Sequence, residues 1–460
     1  MTRATKEEQV CTYFVLRTGL KTIHRWMKAP NQRSRHAAKD YKGLIDARVA
    51  PKQNTAAEER PDTHYLRARV KYALEMCAEL EQQAAVISMD NKNKVHIGSK
   101  TLAVNRHLQP GRFFPTNDQP NYQDHDFPTP GYLITPSGYF VMKPGEKELF
   151  KDEKGREHFR FDRIGETHVV NRPPGVGVNI ESHLCDVLPI TQELREEGRT
   201  AVLLVVDNGA DFNPRSHVTQ FFYGKLWKDG DLDAMAVLSY CAGDSKLNPI
   251  ERIWGHLTKK LTAVYLRDVL PDEDLPPRQQ RLEQRVLEEK EKKVFKLALE
   301  QLDGYWDGMA YAGCKVSSRH VISEPQAALL PAVQHSLSSK RALILNNSMH
   351  EETKFQNQHL RRLDGMLIFT KCVQEPCRHC TEHPPVSKAA CQLFSTFPTP
   401  VPSSQDTYET YITARAQARS HQDEHMPSRI TNHLGTCERC STLYIFTSKT
   451  DKIRHMRLMH

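Results

Sequence analysis

The stretch Ala201–Leu261 contains AVLLVVDNGADFNP and, further on, LSYCAGDSKLNPIERIWGHLTKKL. The aliphatic run Ala201–Val206 predicts a buried strand, and a carboxylate, Asp207, follows it directly. The apolar residues of Ile250–Leu261 recur at helical spacing and predict an amphipathic helix with a second carboxylate, Glu251, in its first turn. Open α/β sheets bind ligands at the carboxyl ends of their strands, so both acids are candidate site residues.

Both acids also fit an ordinary structural role. Asp207 begins an Asp-Asn-Gly sequence, which is common in turns. Asn248 and Pro249 predict a helix start, with Asn248 as the capping residue and Glu251 able to reach back to the capping backbone. The two roles are compatible, because a rigid helix start would hold Glu251 in a fixed direction beside the sheet.

A third candidate acid lies earlier in the chain. The run Ala84–Met89 has the length and apolar character of a central strand, and Asp90 follows it. Asp90 can meet Asp207 only if its strand lies beside Ala201–Val206. After the polar residues 91–94, Val95–Ile97 is predicted to return as the second strand of a hairpin.

The later elements predict the fold class. Pro136–Gly138 carries a turn signal, so Tyr132–Ile134 and Tyr139–Met142 are predicted to form another hairpin. Helices are then expected to alternate with strands. Strands first, followed by this alternation, indicate an α/β fold with a mixed sheet and helices on both faces.

Length, composition and charge set the protein class. A chain of 460 residues has room for two to four domains, and 38% hydrophobic with 26% charged residues suits a globular protein. The longest aliphatic run is too short to span a bilayer, so no membrane partner is expected. The N-terminus lacks the apolar core of a secretory signal. The segment Arg17–Lys52 holds ten Lys or Arg against two acids, which favours phosphate contacts or a solvated basic arm.

The cysteines indicate metal binding and not disulfides. Eleven cysteines, an odd number, without a secretory signal argue against a disulfide framework. Cys437 and Cys440, followed by His455 and His460, approximate the ligand pattern of a two-cysteine, two-histidine zinc finger. The basic helix predicted at Lys449–Arg457 could then lie in a DNA groove. Such a saturated site would be structural, since four protein ligands leave no open position.

A second group of possible ligands precedes this finger. Cys372, Cys377, Cys380 and His383 could bind zinc separately. Alternatively, Cys377 and Cys380 could join the tail cysteines in one ribbon-like site. Free cysteines beside a linker are the third possibility.

Three segments together carry a family resemblance. SMDNKNKV, LLVVDNGADFNP and DSKLNPIERIWGHLTKKL resemble DDE-type transposases of the retroviral-integrase superfamily, and the last is similar to the acidic helix of mariner-like elements. The resemblance covers Ala84–Leu261 and extends to transposase-derived proteins of animal genomes. It implies an RNase H-like fold, with Asp90, Asp207 and Glu251 as a triad that holds two Mg²⁺ or Mn²⁺ ions. It also implies cutting of DNA followed by strand transfer, and a nuclear location.

Other functions remain open at this point. A domesticated transposase without catalysis could act as a DNA- or chromatin-binding zinc protein. An RNase H-fold nuclease acting on structured DNA or RNA would share the core but not strand transfer. A homodimer is also open. The absence of a P-loop and of a serine elbow leaves nucleotide-kinase and ordinary hydrolase functions without support.

The predicted organisation combines these elements. The fold class is α/β, an RNase H-like mixed sheet with flanking helices, a helical N-terminal region and a small zinc-binding tail. The expected domains are a basic helical region at 1–80, a catalytic core at 81–265 with an insertion at about 100–165, a helical extension at 266–345, a cysteine-containing segment and linker at 346–406, and a zinc-finger tail at 407–460.

Overall fold

The computed structural model divides the chain into two units, Met1–Ala56 with Arg106–Pro130, and Ala57–Asn105 with Gly131–His460. Most of the basic segment Arg17–Lys52 and much of the expected insertion lie outside the described residues. The structure describes residues 47–49, 52–53, 61–92, 94–97, 113–115, 122–123, 132–241, 244–261, 264, 266–267, 284–322, 329–338, 347–403, 408–417, 423–432 and 434–460.

In the smaller unit, the described residues form two pairs of short strands. β1 (Ala47–Val49) pairs antiparallel with β5 (Phe113–Pro115), and β2 (Lys52–Gln53) pairs parallel with β6 (Tyr122–Gln123).

The larger unit is an α/β structure built on a ten-stranded mixed sheet. None of the helices in the described part of the chain has the length and apolar character needed to cross a bilayer. The strands are β3 (Ala84–Asn91), β4 (Val95–Ile97), β7 (Tyr132–Met142), β10 (Gly165–Arg172), β11 (Ala201–Val206), β12 (Ala234–Ser239), β13 (Ala310–Tyr311), β14 (Cys314–His320), β15 (Leu360–Leu363) and β16 (Met366–Thr370), with β8 (Leu149–Lys151) and β9 (Glu157–Phe159) in a separate pair.

The helices of this unit lie before, between and after the strands. They are α1 (Thr63–Glu79), α2 (Ile180–Glu196), α3 (His217–Asp229), α4 (Ile250–Lys260), α5 (Gln284–Trp306), α6 (Leu329–Ser338), α7 (Asn347–Gln358), α8 (Arg378–Glu382), α9 (Lys388–Ser395), α10 (Tyr411–Ala416), α11 (Pro427–Asn432) and α12 (Lys449–Met459).

The strand order places the predicted site strands at the centre of the sheet. The order is β13, β14, β10, β7, β3, β11, β12, β16, β15, and β4 also pairs with β7. β3, β11 and β12 run parallel, whereas β7 is antiparallel to both β3 and β10. At the far side, β16 pairs antiparallel with β12. The condition for Asp90 to approach Asp207 is therefore met, because their strands are neighbours.

Alternate residues of the central strands pack into two cores, one on each face. On β3, Val86 packs with α1 and α4, and Ile87 packs with α2 and α3. Every residue of β11 and β12 is buried, as expected for parallel strands covered on both faces.

Both predicted hairpins are wrong. β7 is one continuous strand from Tyr132 to Met142 that includes Pro136 and Gly138. β4 does not return along β3; it pairs with β7 beyond the point where β3 ends. Pro136 and Gly138 favour a turn locally, but the pairing of β7 with β3 and β10 keeps these residues in an extended strand.

The segment 384–403, predicted as part of a linker, belongs to the packed structure. Ala390 and Phe394 of α9 and the following Phe397 are buried in the same core as α1 and α4. Strands from 310–320 and 360–370 also join the sheet, so the sheet extends beyond the 81–265 expected for the core.

Candidate functional site

Three acids lie together where the central strands end. Asp90 is the penultimate residue of β3, and Asp207 directly follows β11, the parallel neighbour of β3. Glu251 lies in the first turn of α4, which packs on β3 and β7 through Ile250 and Trp254. We call Asp90, Asp207 and Glu251 the carboxylate site.

The charges of the three carboxylates act on one another. Burial raises the pKa of Asp90 well above its ordinary value, and the charges of Glu251 and Asp207 raise it further. Burial also raises the pKa of Glu251, and Asp207 adds to this, while a hydrogen bond with Ser245 and the charge of Lys92 lower it. Every pair within the site therefore repels, an arrangement that bound cations would relieve.

Trp254 positions Asp90 directly. Its Nε1 donates to Asp90 Oδ2 at 3.1 Å. The indole reaches the carboxylate across Gly138, the β7 residue paired with Asp90. A Cβ on Gly138 would lie 2.4 Å from Trp254 Cζ2, so only glycine leaves room for the ring.

Asn248 does not cap α4, contrary to the prediction. Pro249 occupies the capping position, without a side-chain hydrogen bond. The Asn248 side chain instead accepts from the hydroxyl of Ser88 and donates to Met89 O at 3.1 Å. Ser88 Oγ also accepts from Ile250 N at 3.1 Å. The first turn of α4 is thus fastened to β3 immediately before Asp90.

The turn after Asp207 is anchored to two other elements. Gly209 N donates to Asp207 Oδ1 at 2.8 Å. Asn208 Nδ2 donates to Tyr240 O at 2.6 Å, beyond the end of β12. Arg215 donates to Asn208 Oδ1 at 3.1 Å and to Asp364, between β15 and β16, at 2.5 Å.

Tyr240 is a neighbour of this site that the sequence did not indicate. Burial raises the pKa of its hydroxyl, and the charges of Asp90 and Asp207 raise it further. A hydrogen bond with Asn248 lowers it. The phenol therefore stays protonated and can donate beside the acids.

The described residues contain two tighter groups of possible metal ligands. The tail site consists of Cys437, Cys440, His455 and His460, as the spacing predicted. The hairpin site consists of His359, Cys372, Cys377 and Cys380. In each group the four ligand atoms lie within 4.8 Å of one another, a criterion that the oxygens of the carboxylate site do not meet.

The tail site has tetrahedral dimensions. Cys437 Sγ lies 3.3 Å from His460 Nε2, and Cys440 Sγ lies 3.2 Å from His455 Nε2. Zinc bonds of about 2.3 Å to sulfur and about 2.0–2.1 Å to nitrogen place such atoms about 3.6 Å apart. The donor set therefore fits zinc.

The hairpin site corrects the predicted ligand grouping. His359, directly before β15, takes the place expected for His383, which instead faces Asp231 at 3.8 Å. Cys377 Sγ lies 3.4 Å from His359 Nε2, while His359 Nδ1 lies 3.0 Å from Thr370 O. That carbonyl holds the ring with Nε2 towards Cys377, while Cys372 Sγ lies 3.7 Å from Nδ1.

The two groups are separate, so the single ribbon-like site is wrong, and each group is a donor set that can hold zinc by itself. No family model matches the chain, and no match was found among curated proteins or solved structures. We therefore infer function from the residues and their geometry.

Proposed function

We propose that the protein is a DDE-type DNA endonuclease and strand transferase that acts in the nucleus. The observation that carries the proposal is the carboxylate site, with its acids on three separate elements at one edge of the sheet. Without the short strands β4, β8 and β9, this unit has the chain order β3, β7, β10, β11 and β12, and the first of these strands adjoins the fourth, as in the RNase H-like fold. This order supports an RNase H-like core.

The carboxylate oxygens repel one another and suit hard cations. We expect them to hold two ions, both Mg²⁺ or both Mn²⁺. Two such ions would activate the attacking oxygen and stabilise the leaving one in an in-line displacement. Asp90, Asp207 and Glu251 would hold them. Trp254 and Asn248 would keep Asp90 and the first turn of α4 in register.

Zinc in the hairpin and tail sites would be structural. All four positions of each site are protein ligands, so neither leaves a position for substrate.

A nicking assay tests the catalytic proposal. Purified protein should nick supercoiled DNA with Mg²⁺ or Mn²⁺ and not without them, and Asp207→Asn should abolish nicking. Asp229→Asn is the matched control, because Asp229 is an exposed acid at the end of α3 that pairs only locally with Lys225 in the described structure. Equal nicking by Asp207→Asn and the unsubstituted protein would place the activity elsewhere.

A catalytically inactive DNA- or chromatin-binding zinc protein is the second candidate. It is supported by the two Cys/His groups, which can hold zinc without any part in catalysis. Metal-independent DNA binding, bound zinc and no nicking by any preparation would establish it in place of the enzyme.

A further inference from the structure

The last segment of the chain, residues 434–460, forms what we call the tail module. Its helix α12 begins at Lys449, so the first histidine ligand, His455, is the seventh helical residue. Zinc fingers of this kind contact bases through positions −1, 3 and 6 relative to the helix start. Those positions are Ser448, Asp451 and Arg454 here.

Two of these three positions are already engaged within the chain. Ser448 caps α12 by accepting from Asp451 N at 3.0 Å. Asp451 is 4% exposed and lies 2.9 Å from His217 Nε2 on α3 and 3.3 Å from Arg362 Nη1 on β15. The position that would read the central base therefore faces the protein's own core.

Arg362 joins the module to the sheet. Its fully buried guanidinium contacts the hydroxyl of Tyr444, and it donates to Gln220 Oε1 at 3.0 Å and Arg215 O at 2.9 Å. A buried charge of this kind needs its acidic partner, which Asp451 supplies.

Backbone hydrogen bonds also join the tail module to β15. Arg362 N donates to Leu443 O at 2.8 Å, and Ile445 N donates to Arg362 O at 3.0 Å. The module thus covers the outer edge of β15, which would otherwise be an open edge strand. Tyr444 and Leu458 share a core with Phe369 of β16.

The opposite face of α12 carries residues with exposed side chains, including Lys452 and Ile453, which is 63% exposed. We propose that the tail module is a docking module whose partner is this chain's own core, and that its helix does not read DNA bases. Zinc in the tail site then maintains the edge of the sheet. The inference goes beyond the catalytic proposal and holds equally for an inactive core.

Substitutions in the full-length, zinc-loaded chain test this. Asp451→Asn keeps all four ligands but removes the charge opposite Arg362, so we expect the melting temperature to fall by about 5 °C or more. Proteolytic cleavage before residue 434 should also become faster. Ile453→Gln, on the exposed face of the same helix and nearly neutral in helix propensity, should change neither.

Tyr444→Phe is the milder variant. It keeps the ring stacked on His455 but removes the hydroxyl that contacts Arg362, so we expect a fall of about 2 °C. Unchanged melting and cleavage in both Asp451→Asn and Tyr444→Phe would overturn the docking role.

Selection of bound sequences from a random DNA pool, followed by affinity measurement on the selected duplex, separates docking from base reading. Arg454→Ala should change the affinity by less than about twofold, the scale of one peripheral phosphate contact or less. A loss of about tenfold or more, the scale of a lost base contact, would identify α12 as a reading helix and overturn the inference.

Discussion

In the carboxylate site, three acids from distant parts of the chain repel one another, whereas in the hairpin and tail sites four ligands close around one point. The first arrangement stores unfavourable charge, which bound cations would neutralise. The second leaves no open position and joins elements together. We therefore expect substitutions in the carboxylate site to change activity more than stability, and substitutions in the Cys/His sites to do the reverse.

The largest effect should come from Cys380→Ser. Structural zinc contributes apparent binding energies of about 10–16 kcal/mol in isolated finger peptides, so loss of a ligand should destabilise the chain by several kcal/mol. Elemental analysis should show one zinc per chain in place of two, and the melting temperature should fall steeply. Cys185→Ser, a non-ligand of intermediate exposure on α2, is the control. Two zinc ions retained in Cys380→Ser would contradict the assignment.

Asn248→Ala should lower both stability and nicking activity, unlike substitution of an acid in the carboxylate site. The residue is fully buried, and its removal leaves the Met89 carbonyl without this donor, at a cost of about 1–3 kcal/mol. Because the start of α4 is released from β3, divalent-metal-dependent nicking should fall as well. Denaturant unfolding and nicking rates measure the two effects, and a variant with unchanged values in both would show that α4 is held otherwise.

Asp90→Asn should raise stability and abolish nicking, the opposite of the loss of stability expected in the Cys/His sites. The folded-state pKa of Asp90 is raised, so the metal-free folded state binds the proton more tightly than the unfolded state. The free energy of unfolding therefore falls as pH rises from about 4 through the raised folded-state pKa.

In Asp90→Asn this fall should be smaller. At neutral pH without metal, the gain should be on the scale of stabilising substitutions, about 0.5–2 kcal/mol. Denaturant unfolding across pH measures it. A steeper fall with pH in the variant than in the unsubstituted protein would refute the assigned charge repulsion.

The smallest effect on nicking is expected for Trp254→Phe. The ring over Gly138 is retained in part, but the hydrogen bond to Asp90 is lost. Outer-shell partners of metal ligands typically contribute about 10–100-fold, so nicking should fall by about tenfold. Because Trp254 is 4% exposed, the smaller ring should also cost about 1–3 kcal/mol of stability. Activity equal to that of the unsubstituted protein would remove Trp254 from the set of positioning residues.

Local patterns predicted the parts of the structure that local chemistry determines. The apolar runs identified β3 and β11, and the amphipathic spacing identified α4. The tail site also followed from spacing, because its ligands lie within one short segment.

Long-range contacts determined what was missed. His359 belongs to no ligand motif in the sequence and becomes a candidate ligand only because β15 and β16 bring it beside Cys372. Asn248 carries a capping signature, yet its partner is Ser88 on another element. Gly138 resembled a turn residue, whereas its role is to make room for an indole.

The pairing of β16 with β12 has a consequence for biosynthesis. A nascent chain that has emerged only as far as α4 carries β12 with one unpaired edge, apolar at Ala234–Leu238, since β16 is made much later. Such an edge can pair with another nascent copy. The β12 edge is therefore covered only after Met366–Thr370 and the cysteines that follow have been synthesised. Chains released before that point should aggregate instead of accumulating as folded cores.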